Sequence, residues 1–204
     1  MRWPPPVSLK DNRDWWDLFW TDELAKGFGK PSKSLLKFIP PPRLGATAID
    51  IASGNGRYAI ELAKLGYLTT VLELTDAGLN GISQLAKARG LEIASMQGDF
   101  IELRNEKYCY DLIVCSGLLE EIPKSSHKQV VTGFLNWTKP GGLVISRYCL
   151  EIVGRGILVD DDATIKYFSP ESWDIVFYKE LKEIKPSKGG FDIRHGTIIA
   201  QRKK

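Results

Sequence analysis

Apolar positions along the chain switch repeatedly between a spacing of two and a spacing of three to four. Thr47 to Ala52 is a short β-type run closed by a glycine-rich turn, and Ala59, Ile60, Leu62, Ala63 and Gly66 follow at helical spacing. Thr69 to Leu74 predicts a second strand. Leu79, Ile82, Leu85, Ala86 and Arg89 then mark an amphipathic helix, with Thr75 as its N-cap. Leu91 to Met96 reads as a third strand and Asp111 to Cys115 as a fourth, apolar as a strand covered on both faces should be. Ser126-His127-Lys128-Gln129 reads as a capping box for a helix through Val130, Val131, Phe134 and Leu135. Gly142 to Tyr148 predicts a fifth strand. Ser169-Pro170-Glu171 offers an N-cap, a proline at the first helical position and an acid for the helix dipole. Leu181 to Lys185 and Ile193 to Gln201 complete seven strands.

Strands that alternate with helices imply a mostly parallel sheet with helices on both faces, a doubly wound α/β domain. Ligands of such sheets sit beyond the carboxyl ends of the strands, so the turns after the first four strands are where chemistry is expected. The first 43 residues follow a different pattern. Four of the six tryptophans (Trp3, Trp15, Trp16, Trp20) precede a stretch holding Lys26, Lys30, Lys33 and Lys37, and Pro40-Pro41-Pro42 stops any helix. The expected organisation is a helical arm with a Pro-rich connector at 1–43 and a compact domain at 44–204.

Composition narrows the function classes. The 204 residues are 43% hydrophobic and 26% charged, which excludes wholesale disorder. No apolar run approaches the roughly 18 residues of a spanning helix, and the opening Met-Arg-Trp-Pro-Pro-Pro lacks the apolar core of a secretory signal. Cys109, Cys115 and Cys149 form no Cys-x-x-Cys pair, so a reducing cytoplasm is expected. A net charge of +3 is too small to argue for nucleic acid, and Arg202-Lys203-Lys204 reads as a solvated tail. A small molecule is the expected partner, on a monomer or homodimer.

Three strand ends carry candidate chemistry. After the first comes Asp50-Ile51-Ala52-Ser53-Gly54-Asn55-Gly56-Arg57, where Gly54 and Gly56 permit left-handed backbone and close approach of a ligand. Glu73 closes the second strand and can accept two hydrogen bonds from a ribose diol. After the third, Asp99 can accept from an adenine amine and Phe100 can pack on the base. Each residue alone has a bland reading: a tight turn, a solvated charge, an N-cap. Their occurrence at successive strand ends favours adenosine.

On these residues the sequence resembles the class I S-adenosylmethionine-dependent methyltransferases, over about Leu44 to Tyr148. Asp50, Gly54 and Gly56 match the first motif, with Ala52 replacing the usual first glycine and Ser53 between. Glu73 and Leu74 match the ribose acid and its adenine neighbour, and Asp99 and Phe100 the adenine pair. Tyr110 to Gly117 resembles the fourth motif, whose strand end at Cys115 and Ser116 faces the reacting group. Trp137-Thr138-Lys139-Pro140-Gly141-Gly142-Leu143 resembles the turn before the fifth strand. The resemblance implies a Rossmann-like fold, S-adenosyl-L-methionine as cofactor and S-adenosyl-L-homocysteine as product. The competing reading is a nicotinamide oxidoreductase, because Gly54 to Ala59 also fits G-x-G-x-x-G/A. Asp50, Asp99 and the Lys139-Pro140-Gly141-Gly142 turn favour the methyl donor.

No residue is legible as an essential base, and in-line methyl transfer from a sulfonium needs alignment more than proton transfer. Glu120-Glu121 could take a proton or be a solvated pair, His127 reads as a surface residue, and His195 as part of a turn. Asp160-Asp161-Asp162 reads as an acidic loop that could attract a cationic substrate or metal but is more simply solvated. No His/Cys set has zinc-ligand spacing. Trp16, Trp20, Tyr148 and Tyr167 are the expected acceptor-side residues, with the tryptophan-rich arm either a lid over the site or a helix docked permanently on the core. Without Asn/Asp-Pro-Pro-Tyr or a Pro-Cys nucleophile, the chain looks more like small-molecule methyltransferases of the tellurite-resistance and thiopurine types. A protein or RNA methyltransferase, or a non-catalytic cofactor-binding subunit, stays open as an alternative.

Overall fold

A computed structural model describes residues 12–22, 30–107, 109–152, 156–185 and 191–204; Trp3 and Lys26 lie outside them. The chain divides into two compact units, 1–99 and 100–204.

The first unit holds α1 (Asn12–Thr21), α2 (Lys33–Leu36), β1 (Thr47–Ile51), α3 (Arg57–Leu65), β2 (Leu68–Glu73), α4 (Asp76–Lys87) and β3 (Ile93–Gln97). β1 pairs parallel with β2, Thr47 opposite Leu68, and β2 parallel with β3, Thr69 opposite Ile93. Parallel pairing follows from the helical crossovers α3 and α4. α3 buries Ala59, Ile60 and Leu62, and the two large side chains contribute about 1.5–3 kcal/mol each. It stops at Gly66, whose left-handed φ of 99° lets its N–H cap the last turn. Thr75 is the N-cap expected for α4, its hydroxyl accepting from Gly78 N at 3.2 Å. The N-terminal helix is present as α1. It buries Trp15 and Phe19, stacked with centroids 5.2 Å apart. The connector is tied down by Tyr67 Oη, which donates to Pro40 O at 2.8 Å.

The second unit holds α5 (Phe100–Leu103), β4 (Tyr110–Ser116), α6 (His127–Trp137), β5 (Thr138–Ile152), β6 (Gly156–Ile157), α7 (Asp161–Tyr167), β7 (Trp173–Lys185) and β8 (Phe191–Arg202). β4 and β5 are parallel, whereas β8 is antiparallel to both β5 and β7, and the two-residue β6 adds to β5. The α/β class with seven main strands is therefore as expected, mostly parallel with an antiparallel end. Phe134, Trp137, Phe168 and Trp173 anchor this unit's core.

Several local expectations are corrected. Ser126 has helical φ/ψ and makes no side-chain cap, because the 3-10 turn Lys124–Ser126 runs directly into α6. His127 is not a surface residue: it is 2% exposed, its Nε2 lies 2.8 Å from Leu119 O, and burial lowers its pKa. Residues 169–171 form a turn rather than a helix start, Ser172 N and Trp173 N both donating to Ser169 O. The helix lies earlier. Asp160 caps α7 by accepting from Ala163 N at 3.0 Å, and Asp161 and Asp162 occupy its first turn, so the acidic run is a helix start. His195 sits within β8, opposite Cys149, not in a turn. Lys139 to Gly142 is an irregularity inside β5, since Tyr110 pairs with Thr138 but Leu112 already with Leu143. A Cβ on Gly142 would stand 2.9 Å from Lys139 O and 3.1 Å from Asp111 O, which explains glycine there.

Candidate functional site

The turn after β1 is built from three left-handed residues in five: Ala52 at φ 54°, Gly54 at 57° and Gly56 at 69°. Gly56 is the N-cap of α3, and at Gly56 a Cβ would meet Ile82 Cγ1 at 2.7 Å, so this glycine serves helix–helix packing as well as the turn. At Gly54 the neighbour is Trp20, whose Cζ2 would lie 2.4 Å from a Cβ. Ala52 was expected to be a mild departure from glycine. Its methyl is in fact carried at positive φ, the only non-glycine of that kind among the described residues. A left-handed alanine is strained by about 1 kcal/mol relative to glycine. Ala52→Gly should therefore raise the thermal unfolding midpoint by about 1–4 °C. A lower midpoint in calorimetry would show that the methyl's packing outweighs the strain.

Two buried carboxylates hold the turn. Asp50 is 2% exposed, and its Oδ2 accepts from Ala59 N at 3.0 Å, satisfying a first-turn donor of α3. Burial pushes its pKa up to about 7, with Glu73 adding to the rise and Arg57 and the Ala59 N–H opposing it. Glu73 is 5% exposed. Its Oε2 accepts from Gly54 N at 2.8 Å, and its Oε1 from Thr75 N at 3.1 Å and Thr75 Oγ1 at 2.9 Å. Burial raises its pKa, and these donors pull it back. Glu73 is thus no solvated strand end but the link between the β1 turn and the start of α4. Ser53 is committed as well, its Oγ 3.1 Å from Asp50 O and 3.0 Å from Leu72 O.

The remaining first-unit candidates lie nearby. Leu74 follows Glu73 and is half-buried. Asp99, also half-buried, follows Gly98, whose N donates to Glu73 O at 3.1 Å and so ties the turn after β3 to the end of β2. Trp16 and Trp20 stack on α1, centroids 5.8 Å apart. In the second unit Phe100 is a core residue rather than an open platform for a base. Its ring lies 5.5 Å from that of Phe134 and 4.9 Å from that of Trp137. Cys115 is buried in β4 opposite Ser146, and Ser116 is half-buried opposite Arg147. Tyr148 is 1% exposed, its hydroxyl donating to Asp161 Oδ1 at 2.8 Å, while Tyr167 ends α7 half-buried. Sequence reasoning missed Asp17, which reaches Ala77 N, 60 positions away, and Asp161, which also accepts from Tyr178 Oη. Neither contact has a local sequence signal.

This arrangement defines a class of protein: a doubly wound sheet whose first turn and second strand end form one buried, acid-lined cradle. Residues 48–142 match the family model for the methyltransferase domain. It is 28% identical over 138 residues to the ubiquinone biosynthesis O-methyltransferase of Shewanella pealeana, covering 64% of this chain and 55% of that one. The fold is similar to that of magnesium protoporphyrin IX methyltransferase from Synechocystis, solved with bound S-adenosylhomocysteine, at TM-score 0.75 and 14% identity over 94% of this chain and 97% of that one. It is also similar to TehB from Haemophilus influenzae, at TM-score 0.69 and 18% identity over 91% and 67%. The chain spans only 32–55% of the length of the ubiquinone biosynthesis relatives it matches. Among the described residues no helix is long and apolar enough to cross a membrane.

Proposed function

We propose that this chain transfers a methyl group from S-adenosyl-L-methionine to an oxygen, nitrogen or sulfur nucleophile of a small molecule. The observation that carries the reading is the Gly54–Glu73 cradle: a bare glycine Cα and a buried carboxylate joined by one hydrogen bond, within the span matched by the methyltransferase family. The residues present fit the donor. Glu73 would accept from a ribose hydroxyl in place of Thr75 Oγ1, Gly54 would offer backbone without a side chain once Trp20 is off it, and Leu74 and Asp99 would flank an adenine. Asp50 and Ser53 shape the turn. Bound there, the donor supplies a methyl on a sulfonium that is already a good leaving group.

The protein's task is alignment and exclusion of water, worth up to roughly 7–11 kcal/mol of the barrier. With the donor held there, the chemistry supplied would be an in-line displacement in which sulfur keeps the electron pair and the acceptor releases its proton to solvent after transfer. On the acceptor side we assign Trp16 and Trp20 of the arm; Tyr148, buried with its hydroxyl donating to Asp161, is a packed residue of the second unit rather than a ligand contact. The ubiquinone biosynthesis O-methyltransferases and a wheat phosphoethanolamine N-methyltransferase among the relatives support a small acceptor. Purified full-length protein with methyl-labelled donor, offered panels of phenols, amines and thiols, should label at least one panel. Label on protein or RNA alone, or on nothing while the donor binds, would replace this reading with a macromolecular methyltransferase or a non-catalytic subunit.

A further inference from the structure

The face of Gly54 that a ligand would need is already occupied. A Cβ on Gly54 would stand 2.4 Å from Trp20 Cζ2 and 2.7 Å from Cη2, so the indole rests directly on the glycine's Cα. The covering residue comes from the arm and not from the core. The helix that carries it is held at the neighbouring strand end as well. Asp17 Oδ1 accepts from Ala77 N at 2.9 Å, in the first turn of α4, where a carboxylate is favoured by the helix dipole. Arg13 lies 3.6 Å from Asp76, an exposed pair that adds little. Trp15 and Phe19 are buried, while Trp20, stacked on Trp16, is half-buried at the rim.

We infer that α1 is a latch on the donor site: with Trp20 on Gly54 the donor is shut out, and the arm must leave the turn before the donor enters. The inference rests on the methyl-donor reading of the same cradle. Two occupants compete for one backbone surface, so the apparent donor affinity is reduced by the fraction of molecules whose arm is open. Asp17 holds the latch shut, and Trp20 is the part that blocks. Once released, the aromatic face of α1 is available to the acceptor, which orders the two substrates with the donor first.

The test is calorimetric titration of S-adenosylhomocysteine into the full chain and into Asp17→Ala and Trp20→Ala, each checked for folding by circular dichroism. Asp17 touches neither the glycine turn nor Glu73, so its removal reports on the latch alone. Both variants should bind about tenfold tighter or more, as a closed majority becomes open. In the unsubstituted chain, S-adenosylhomocysteine should make tryptophan fluorescence more accessible to acrylamide. Unchanged or weaker binding by both variants would overturn the latch, making the arm a passive element or a lid that adds contacts. Absence of binding by all three folded proteins would overturn the donor reading and the latch together, whereas binding by the unsubstituted chain without gain in either variant overturns the latch only.

Discussion

Glu73→Ala is expected to weaken both the fold and the donor site. The carboxylate accepts from Gly54 N, Thr75 N and Thr75 Oγ1 in a place from which water is excluded. The hydroxyl can turn elsewhere, but the two amides cannot, and a buried donor left unmet costs about 1–3 kcal/mol. Relief of the buried carboxylate's own desolvation offsets part of that. A net loss of about 2–4 kcal/mol in urea unfolding is expected. The Leu74 N–H adds to these donors, so a ribose diol would have to displace the Thr75 hydroxyl and share the two oxygens with backbone amides. Charge-assisted hydrogen bonds are worth roughly 1.5–3 kcal/mol each, and their loss should weaken S-adenosylhomocysteine binding by about 10- to 150-fold. Glu73→Gln keeps one acceptor and should fall between. A fold weakened as expected with donor affinity unchanged within about threefold would make Glu73 a purely structural link.

Asp50→Asn should change how stability depends on pH. In the native protein the carboxyl is pushed up to about 7 from an ordinary value of 3.8. Between about pH 4 and 7 the native state holds a proton that the unfolded chain has lost, so this group's contribution falls as pH rises and levels off above 7. Three pH decades correspond to about 4 kcal/mol as an upper bound. Asparagine keeps an oxygen for Ala59 N and cannot ionise. Relative to the original protein, the variant should gain about 2–3 kcal/mol on going from pH 5 to pH 8. His127, whose pKa burial lowers, works in the opposite sense as pH falls through 6.5 and below, but it is common to both proteins and cancels in the difference. Equal urea midpoint differences at the two pH values would mean that Asp50 is already ionised in the native state.

Elements whose signals are local were legible. β1 and α3, and β2 and α4, followed from apolar spacing, from Gly66 ending one helix and from Thr75 capping another. Signals shared by two structures were not. Ser169-Pro170-Glu171 suits a helix start and a turn equally, and Asp160 suits a cap and a solvated loop; packing of Phe168 and Trp173 into the core decided for the turn and for α7. His127 looked like a surface residue because the carbonyl that receives it, Leu119 O, belongs to a separate 3-10 turn. Phe100, whose place after a strand end suits a base platform, sits beside Gly133, where only the missing Cβ admits its ring.

What the sequence determined by itself was the alternation of strands and helices and the identity of the residues at the strand ends. Both are written in short-range periodicity and in residue types that only certain turns accept. The tertiary structure decided how those residues are engaged. Glu73 meets Gly54 N across 19 positions, Asp17 meets Ala77 N across 60, and Trp20 covers the bare glycine. Such contacts depend on where the ends of separate elements come to rest, and a hydrogen bond forms only within a few tenths of an ångström of its ideal length. Hydrophobic patterning decides which face of an element is buried but leaves those endpoints open, so burial, protonation and occupancy of the cradle emerge only when the chain is packed.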